Sequence, residues 1–330
     1  MSDGSILVTG GAGYIGSHVA LQLRARGERV VILDDLSRGF RQAVLDAPLV
    51  VGKVGDRATV LPLLRSHAVD TVMHFAAHTI VPESVKNPLK YFGNNTCATR
   101  ALLECCIEAG VPHFVFSSTA AVYGTPEGGI AAEDTATAPI NAYGSSKLMS
   151  EWMLAAVAGS STLRYAALRY FNVAGADTAG RIGQSTAAAT LLVKVACEAA
   201  VGRRPEVAIY GTDYPTEDGT GVRDYIHVED LAAAHVDALV YLRGGGASTT
   251  LNVGYGHGYS VRQVLASVER VCGRPLNVRE EPRRPGDPPV LIARAERIRN
   301  ELGWRPRLDD LDTIVRSAYQ WEQRLLREPW

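Results

Sequence analysis

The chain has no surplus of charge of either sign, no long apolar run and few cysteines, and each shortage excludes a class of function. Lys and Arg number 34 against 35 Asp and Glu, a formal balance of -1. Without a global basic field there is nothing to gather nucleic acid, although local pairs such as Arg203-Arg204 and Arg283-Arg284 remain available for a small anionic ligand. The most apolar stretch, residues 190–201, is interrupted by Lys194 and Glu198, so no segment is expected to span a bilayer. The five cysteines, Cys97, Cys105, Cys106, Cys197 and Cys272, form no C-x-x-C pair. A disulfide framework is therefore not expected, and buried thiols in a reducing, cytoplasmic setting are. The N-terminus runs into Ile6-Leu7-Val8 without a basic cluster or an apolar signal core. His18, His74, His113, His227 and His235 show no H-E-x-x-H or other metal-ligand spacing. They read as satisfied structural histidines, with no metal site expected.

What is present is alternation. At 330 residues the chain exceeds the usual size of one core, so two domains are expected. Short β-branched runs at 6–9, 29–34, 49–51, 71–75, 113–117 and 165–170 alternate with amphipathic stretches such as 15–26 and 96–109. The pattern predicts an α/β protein: a doubly wound parallel sheet (Rossmann-type) with a smaller α/β substrate domain. After about Asn172 the texture changes, and Gly/Pro-rich loops follow at 211–221, 244–246 and 281–289. The expected division is a cofactor-binding domain over 1–173 and a substrate domain over 174–330. Segment 224–255, with a helix at 228–242 and a strand at 250–253, is expected to return to the first.

The first predicted strand runs into Gly10-Gly11-Ala12-Gly13-Tyr14-Ile15-Gly16. The spacing G-x-x-G-x-x-G opens a helix, and glycines there permit a tight turn and a close backbone approach to a pyrophosphate. Three glycines alone say little. Asp34, ending the next strand, supplies the context, because a carboxylate there can bind the adenosine ribose and would repel a 2′-phosphate. NAD is the expected cofactor, with Arg38 and Arg41 just downstream.

Tyr143 and Lys147 stand at i and i+4, on one face of a helix running towards Ala156. A phenol titrates near pH ~10, and a neighbouring ammonium together with a positively charged nicotinamide would bring it towards neutrality. Such a pair is common by chance. It gains meaning from Ser117-Ser118-Thr119, directly after the fifth strand, where hydroxyls face the ligand crevice of a parallel sheet. Thr119 is placed to bond the substrate oxygen that Tyr143 deprotonates, and Ser118 reads as a turn cap. Glu217, Asp218 and Asp224, among glycines, read as turn residues.

These stretches resemble the extended short-chain dehydrogenase/reductase family and, within it, the UDP-glucose/UDP-galactose 4-epimerases. The matches are TGGAGYIGSH (9–18), HFAA (74–77), FSSTAAVYG (116–124), YGSSKLMSE (143–151), LRYFN (168–172), IYGTDYPTEDGTGVRDYIHVEDLA (209–232) and PRRPGDPP (282–289). They cover nearly the whole chain, and YPTEDGTGVRDYIHV is far more specific than the glycine motif. The resemblance implies reversible C4 epimerisation of a UDP-hexose through a transient 4-keto sugar, with hydride passed to bound NAD and back. It implies Tyr143, Lys147 and Thr119 as the catalytic group. Cofactor contacts would come from Gly10, Gly13, Tyr14, Ile15, Gly16, Asp34, Phe75, Ala76, Asn95, Ser117, Lys147 and Tyr170. Asn172, Leu192, Ala208, Tyr210, Arg223, Arg284, Asp287 and Leu291 would line the UDP-sugar site, beside Thr119 and Tyr143. A homodimer is implied as well.

The chain departs from that pattern in several places. Lys53 stands where family members often carry an aspartate near the adenine, with Asp56 nearby. Thr79, beside His78, replaces a lysine near the cofactor phosphates. Leu191 replaces a polar uridine-binding side chain. Leu291 takes the place of a tyrosine that narrows the sugar pocket, so an N-acetylated sugar is a second candidate. A 4,6-dehydratase needs an acid/base pair after the threonine, and Ala120-Ala121 supply none. Epimerisation of a pentose, a uronate or a dTDP-hexose stays open, as does a non-catalytic NAD-sensing regulator.

Overall fold

The computed structural model describes residues 4–284 and 286–330. Its centre is a parallel sheet of seven strands: β1 (Ser5–Thr9), β2 (Val30–Asp34), β3 (Leu49–Val51), β4 (Val69–His74), β5 (His113–Ser117), β6 (Arg164–Tyr170) and β7 (Thr249–Val253), in the order β7-β6-β5-β4-β1-β2-β3. Ile6, Leu7 and Val8 are wholly buried, as a strand covered on both faces requires. The chain leaves β1 towards β2 and later crosses back to β4 on β1's other side. The carboxyl ends of β1 and β4 therefore flank a crevice. The predicted strands match within a residue or two.

Helices cover both faces. Tyr14–Ala25 buries Val19, Ala20 and Leu23 and lies against Val228–Arg243, which also packs on β5 and β6. The predicted helix from residue 96 begins instead at Ala98, after a π-helical turn over Phe92–Cys97. Such turns put one extra residue into the helical ladder and often mark functional positions. The helix ends at Gly110 with φ 71, a left-handed conformation that glycine adopts without steric cost.

The second layer of structure stands at the carboxyl end of the sheet. A four-stranded sheet takes Tyr259–Ser260, Val222–Arg223, Val290–Ala293 and Ile130–Ala131, in that order. Residues 130 and 131 come from the first half of the sequence. A two-residue strand carries no readable periodicity, so nothing local announces its destination. Asn172–Ala174 pairs with Tyr225–His227, and Val207–Tyr210 with Val278–Glu281. Three helices, Leu192–Ala200, Val261–Cys272 and Leu311–Arg327, pack on one another. The last buries Leu311, Ile314, Val315, Ala318, Trp321 and Leu325, a stripe at helical spacing whose larger side chains each contribute about 1.5–3 kcal/mol.

Asp218 closes its own turn, accepting from the Thr220 amide at 2.9 Å. Asp224 does something else. It is wholly buried and accepts from the amides of Tyr255 (3.0 Å), Gly256 (2.9 Å) and Ala293 (3.3 Å), tying the chain after β7 to the four-stranded sheet. The turn reading of Asp224 is corrected accordingly. Arg203 and Arg204 are likewise not held for a ligand, since they pair with Glu322 and Glu198. The histidines are only partly satisfied. His74 and His227 use both ring nitrogens, Nε2 of His18 and of His235 lacks a partner, and neither nitrogen of His113 has one.

Candidate active site

The glycine loop is shaped by close approaches. Gly10 has φ 70, and a Cβ there would lie 2.5 Å from the Ala76 amide nitrogen; one on Gly16 would lie 2.4 Å from the Gly10 carbonyl oxygen. Gly13 starts the Tyr14–Ala25 helix with no side-chain cap and no acid in the first turn, leaving amides that face outward for an anion. Asp34 is buried and accepts from the amides of Ala12 (3.0 Å) and Leu36 (2.8 Å). Burial pushes its carboxyl up while the two amides pull it down. A cavity of about 530 Å³ opens here, lined by Gly10, Gly13, Asp34, Phe75 and Ala76 together with Arg38, Lys53 and His78. The uncapped helix start, the glycines and Asp34 fit a dinucleotide.

The other expected cofactor residues, Tyr14, Ile15, Gly16, Asn95, Ser117, Lys147 and Tyr170, do not line this cavity. Tyr14 spends its hydroxyl on the Gly175 carbonyl at 2.6 Å, and Ile15 packs into the core, so their reach to a cofactor is through the backbone. Asn95, in the π-helical turn, accepts from the His78 amide (2.8 Å) and donates to the His78 carbonyl and to Ser146 Oγ, both at 3.0 Å. Its side chain is a clamp between the β4 exit and the helix that carries Lys147. Ser117 and Tyr170 bond to each other through their hydroxyls.

That helix, Ala142–Ser160, is capped by Asn141, which accepts from the Gly144 amide at 2.9 Å. A Cβ on Gly144 would meet the Ala121 carbonyl at 2.6 Å, so glycine is what lets the helix start settle on the turn after Thr119. Tyr143 is half-buried there. Burial pushes its phenol up and the Thr119 hydroxyl pulls it down. Lys147 is 2% exposed, donates from Nζ to the Ser117 carbonyl at 2.7 Å and stands 4.9 Å from the Phe116 ring centre. Burial lowers its ammonium to about 7, and Glu151 opposes that shift. Thr119 is the turn cap, accepting from the Ala121 amide at 3.1 Å. Ser118, expected in that role, instead donates from Oγ to Glu151. Glu151 and its partner Arg169, paired at 2.6 Å, were not among the expected residues. Only the i, i+4 spacing of Lys147 and Glu151 on one helix face could have pointed to Glu151, and no local pattern points to Arg169.

Of the residues expected on the substrate side, Arg223 and Leu291 lie on the four-stranded sheet. Arg223 and Leu291 are register partners on adjacent parallel strands, so their side chains emerge on one face. Arg223 donates from Nη1 to the Val222 carbonyl at 2.8 Å, and Leu291 is buried. Asn172 joins this region through its amide, which donates to the Asp224 carbonyl at 2.9 Å. Ala208 and Tyr210 lie on one short strand, and Leu192 begins the Leu192–Ala200 helix. Arg284 lies over the Tyr210 ring at 3.7 Å. Arg283 pairs with Asp213 at 2.7 Å and covers Tyr214, which separates the roles of the two adjacent arginines. Asp287 is exposed on the same loop. Among the described residues no group of three or more His, Cys, Asp or Glu could hold a metal ion, and no helix is long and apolar enough to cross a membrane.

The family model of the NAD dependent epimerase/dehydratase family matches residues 6–254. The chain belongs to this family. It is 56% identical over 321 residues to the UDP-glucose 4-epimerase of Azospirillum brasilense, covering 97% of this chain and 92% of that protein. The UDP-glucose 4-epimerase of Stenotrophomonas maltophila, solved with bound NAD and formylated UDP-arabinopyranose, superposes with a TM-score of 0.95 at 41% identity, covering 98% of this chain and 99% of that one. The UDP-Glc/GlcNAc 4-epimerase of Campylobacter jejuni superposes with a TM-score of 0.85 at 45% identity, covering 97% and 99%. The family accounts for the glycine loop and the cavity beside it, since an NAD-dependent enzyme needs such a cradle.

Proposed function

We propose that the protein catalyses the reversible C4 epimerisation of a UDP-hexose, UDP-glucose to UDP-galactose, with NAD held in the crevice between β1 and β4. The observation that carries this reading is that Lys147 reaches the Ser117 carbonyl at the carboxyl end of β5, on the helix whose start sets Tyr143 against Thr119, while the exit of neighbouring β4 lines the glycine cavity. NAD, when bound, supplies the hydride acceptor and donor for the sugar carbon. The chain supplies the rest. Gly10, Gly13 and Gly16 admit the pyrophosphate to the first-turn amides, those of Tyr14 and Ile15 included, and Asp34 takes the adenosine ribose. Phe75, Ala76, Asn95, Ser117 and Tyr170 wall the site, and Lys147 holds its ammonium beside Tyr143. Tyr143 takes the proton of the 4-hydroxyl, and Thr119 bonds the same oxygen. The resulting 4-keto sugar turns over and is reduced on its other face, with Tyr143 returning the proton.

The UDP moiety lies along the four-stranded sheet. Arg223 and Arg284 neutralise the diphosphate with charge-assisted hydrogen bonds, and Asp287 accepts from a ribose hydroxyl. Tyr210 and the backbone at Ala208 and Leu192 hold the uracil, and Asn172 contacts the sugar or phosphate. Residues 1–173 with 224–255 form the cofactor unit and the remainder of 174–330 the substrate unit. The chain acts in the cytoplasm without nucleic acid. It pairs as a homodimer, a reading supported by exposed apolar side chains on adjoining helices: Val85, Leu89, Met149 and Trp152, the last 60% exposed.

Leu291 favours a second substrate. It is the register partner of Arg223, and a side chain smaller than the tyrosine of the family pattern supports an N-acetylated sugar as the second candidate. A panel of UDP-glucose, UDP-galactose, UDP-GlcNAc and UDP-xylose, each analysed for its C4 epimer, tests both readings. Brisk UDP-glucose turnover with none of UDP-GlcNAc would remove the second. Tyr143→Phe is expected to retain NAD and to lose about 10²–10⁴-fold in kcat; full activity in that variant refutes the base.

A further inference from the structure

Beneath the catalytic pair lies a buried polar chain that the reaction as described does not use. The Ala142–Ser160 helix presents Tyr143, Lys147 and Glu151 at intervals of four. Ser118, wholly buried after β5, donates to Glu151. Glu151 also receives Arg169 of β6 through Nε at 3.0 Å and Nη2 at 2.6 Å. Arg169 Nη1 donates to the Tyr123 hydroxyl at 3.0 Å, and Tyr123 donates to Asn252 Oδ1 of β7 at 2.7 Å. Asn252 Nδ2 then donates to the carbonyls of Ala131 (2.9 Å) and Arg294 (3.2 Å), at the end of the strand that carries Leu291. The chain thus runs from Ser118, the residue before Thr119, to the four-stranded sheet.

Stability does not explain it. A buried ion pair gains little net free energy, and well-packed apolar residues of similar volume often serve as well or better. What the pair does provide is orientation and charge. Ser118 stands between Ser117, whose carbonyl receives Lys147, and Thr119. We propose that Glu151 is a positioning residue for the epimerase reaction: one turn after Lys147 on the same helix, it takes the Ser118 hydroxyl and so fixes the Ser117–Thr119 segment against which Lys147 and Tyr143 are set. This rests on the roles proposed above for Tyr143, Lys147 and Thr119.

The charge of Glu151 also bears on Lys147, whose ammonium it favours against burial. On its own helix Lys147 has Tyr143 one turn before it and Glu151 one turn after. From β5 come the Ser117 carbonyl and the Phe116 ring. From β4 comes His74, which burial keeps neutral and which Lys147 itself disfavours as a cation. From β6 come Tyr170, bonded to Ser117, and Arg169, which shares the Glu151 carboxylate. Glu151 is the only carboxylate in this set.

Two variants of the full-length, NAD-loaded protein test the proposal, with Tyr143→Phe as the reference. Ser118→Ala keeps the ion pair and removes the link; kcat should fall about tenfold, with NAD retained and KM for UDP-glucose unchanged. Glu151→Gln removes the charge; the basic limb of its kcat–pH profile should move down by about one pH unit, because Lys147 loses its proton earlier. Full kcat in Ser118→Ala, or a kcat–pH profile in Glu151→Gln that coincides with that of the parent, overturns the proposal. If Glu151→Gln fails to fold, Ser118→Ala decides alone. An active Tyr143→Phe would sink the catalytic reading itself, whereas an inactive Tyr143→Phe beside a fully active Ser118→Ala sinks only the positioning role.

Discussion

At the scale of single residues, neighbours decide what a side chain can do. Lys147 is an ordinary lysine by sequence, yet burial lowers it to about 7, so near neutral pH its charge depends on its surroundings. Tyr143 shows the complement. Burial alone moves a phenol the wrong way for a base, and its partners must reverse that. Under the proposed substrate site, sugar choice would turn on Leu291. Leu291→Tyr is expected to cut UDP-GlcNAc turnover at least about tenfold while leaving UDP-glucose within about threefold, since a large ring on that strand removes the room for an N-acetyl group. Parallel assays of both sugars check this, and an unchanged ratio of their kcat/KM values argues that Leu291 does not line the sugar pocket.

At the scale of elements, helix starts carry the function. The Tyr14–Ala25 helix begins without a side-chain cap, which costs helix stability in isolation but leaves its first-turn amides for the cofactor. The Ala142–Ser160 helix begins with a cap and with Gly144 pressed on the Ala121 carbonyl. Gly144→Ala would force the helix away from the Thr119 turn, and a misplacement of reacting groups by about 1 Å can cost about 10²-fold. The expected outcome is a large loss of kcat with NAD retained, read by steady-state kinetics and by acid release of the nucleotide. A variant with parental kcat would mean that the close approach is incidental. Val261–Cys272 shows the ordinary alternative, a capping box between Ser260 and Gln263. Ser260 also donates to Asp218, so Ser260→Ala should lower stability by about 2–3 kcal/mol in urea unfolding, the loss of the cap and of a charge-assisted bond together.

At the scale of the whole molecule, buried histidines give the fold its acid sensitivity. Burial lowers His18 and His235 to about 4 and His74 and His227 to about 3. The unfolded chain, with its histidines near pH ~6.5, binds more protons below that value than the folded one does. Stability is therefore fully present above ~6.5 and falls as pH drops towards 4 and 3. Asp34, Asp224 and Glu322, raised by burial, act in the opposite sense. Comparing melting temperatures between pH 7 and 5 for the parent and for His235→Gln isolates the histidine contribution, and the variant should show the shallower decline. Equal slopes would assign the acid loss to other groups.

Much of this protein is determined by sequence at short range. The strands of the parallel sheet, the glycine loop, Asp34 at the end of β2 and the Tyr143–Lys147 spacing all rest on periodicity or on residues a few positions apart, where local sterics and hydrogen bonding dominate. The tertiary structure decided what depends on approach between distant segments. Ile130–Ala131 joins a sheet of the second half, Asp224 becomes a buried tie rather than a turn residue, and Arg203 and Arg204 are consumed by Glu322 and Glu198. Arg283 and Arg284, adjacent in sequence, part company because one meets Asp213 and the other the face of Tyr210. Thr119 rather than Ser118 caps the turn, because Glu151, held by Arg169 of β6, receives the Ser118 hydroxyl. No local pattern encodes that meeting, since it exists only once β5, β6 and the catalytic helix have packed together.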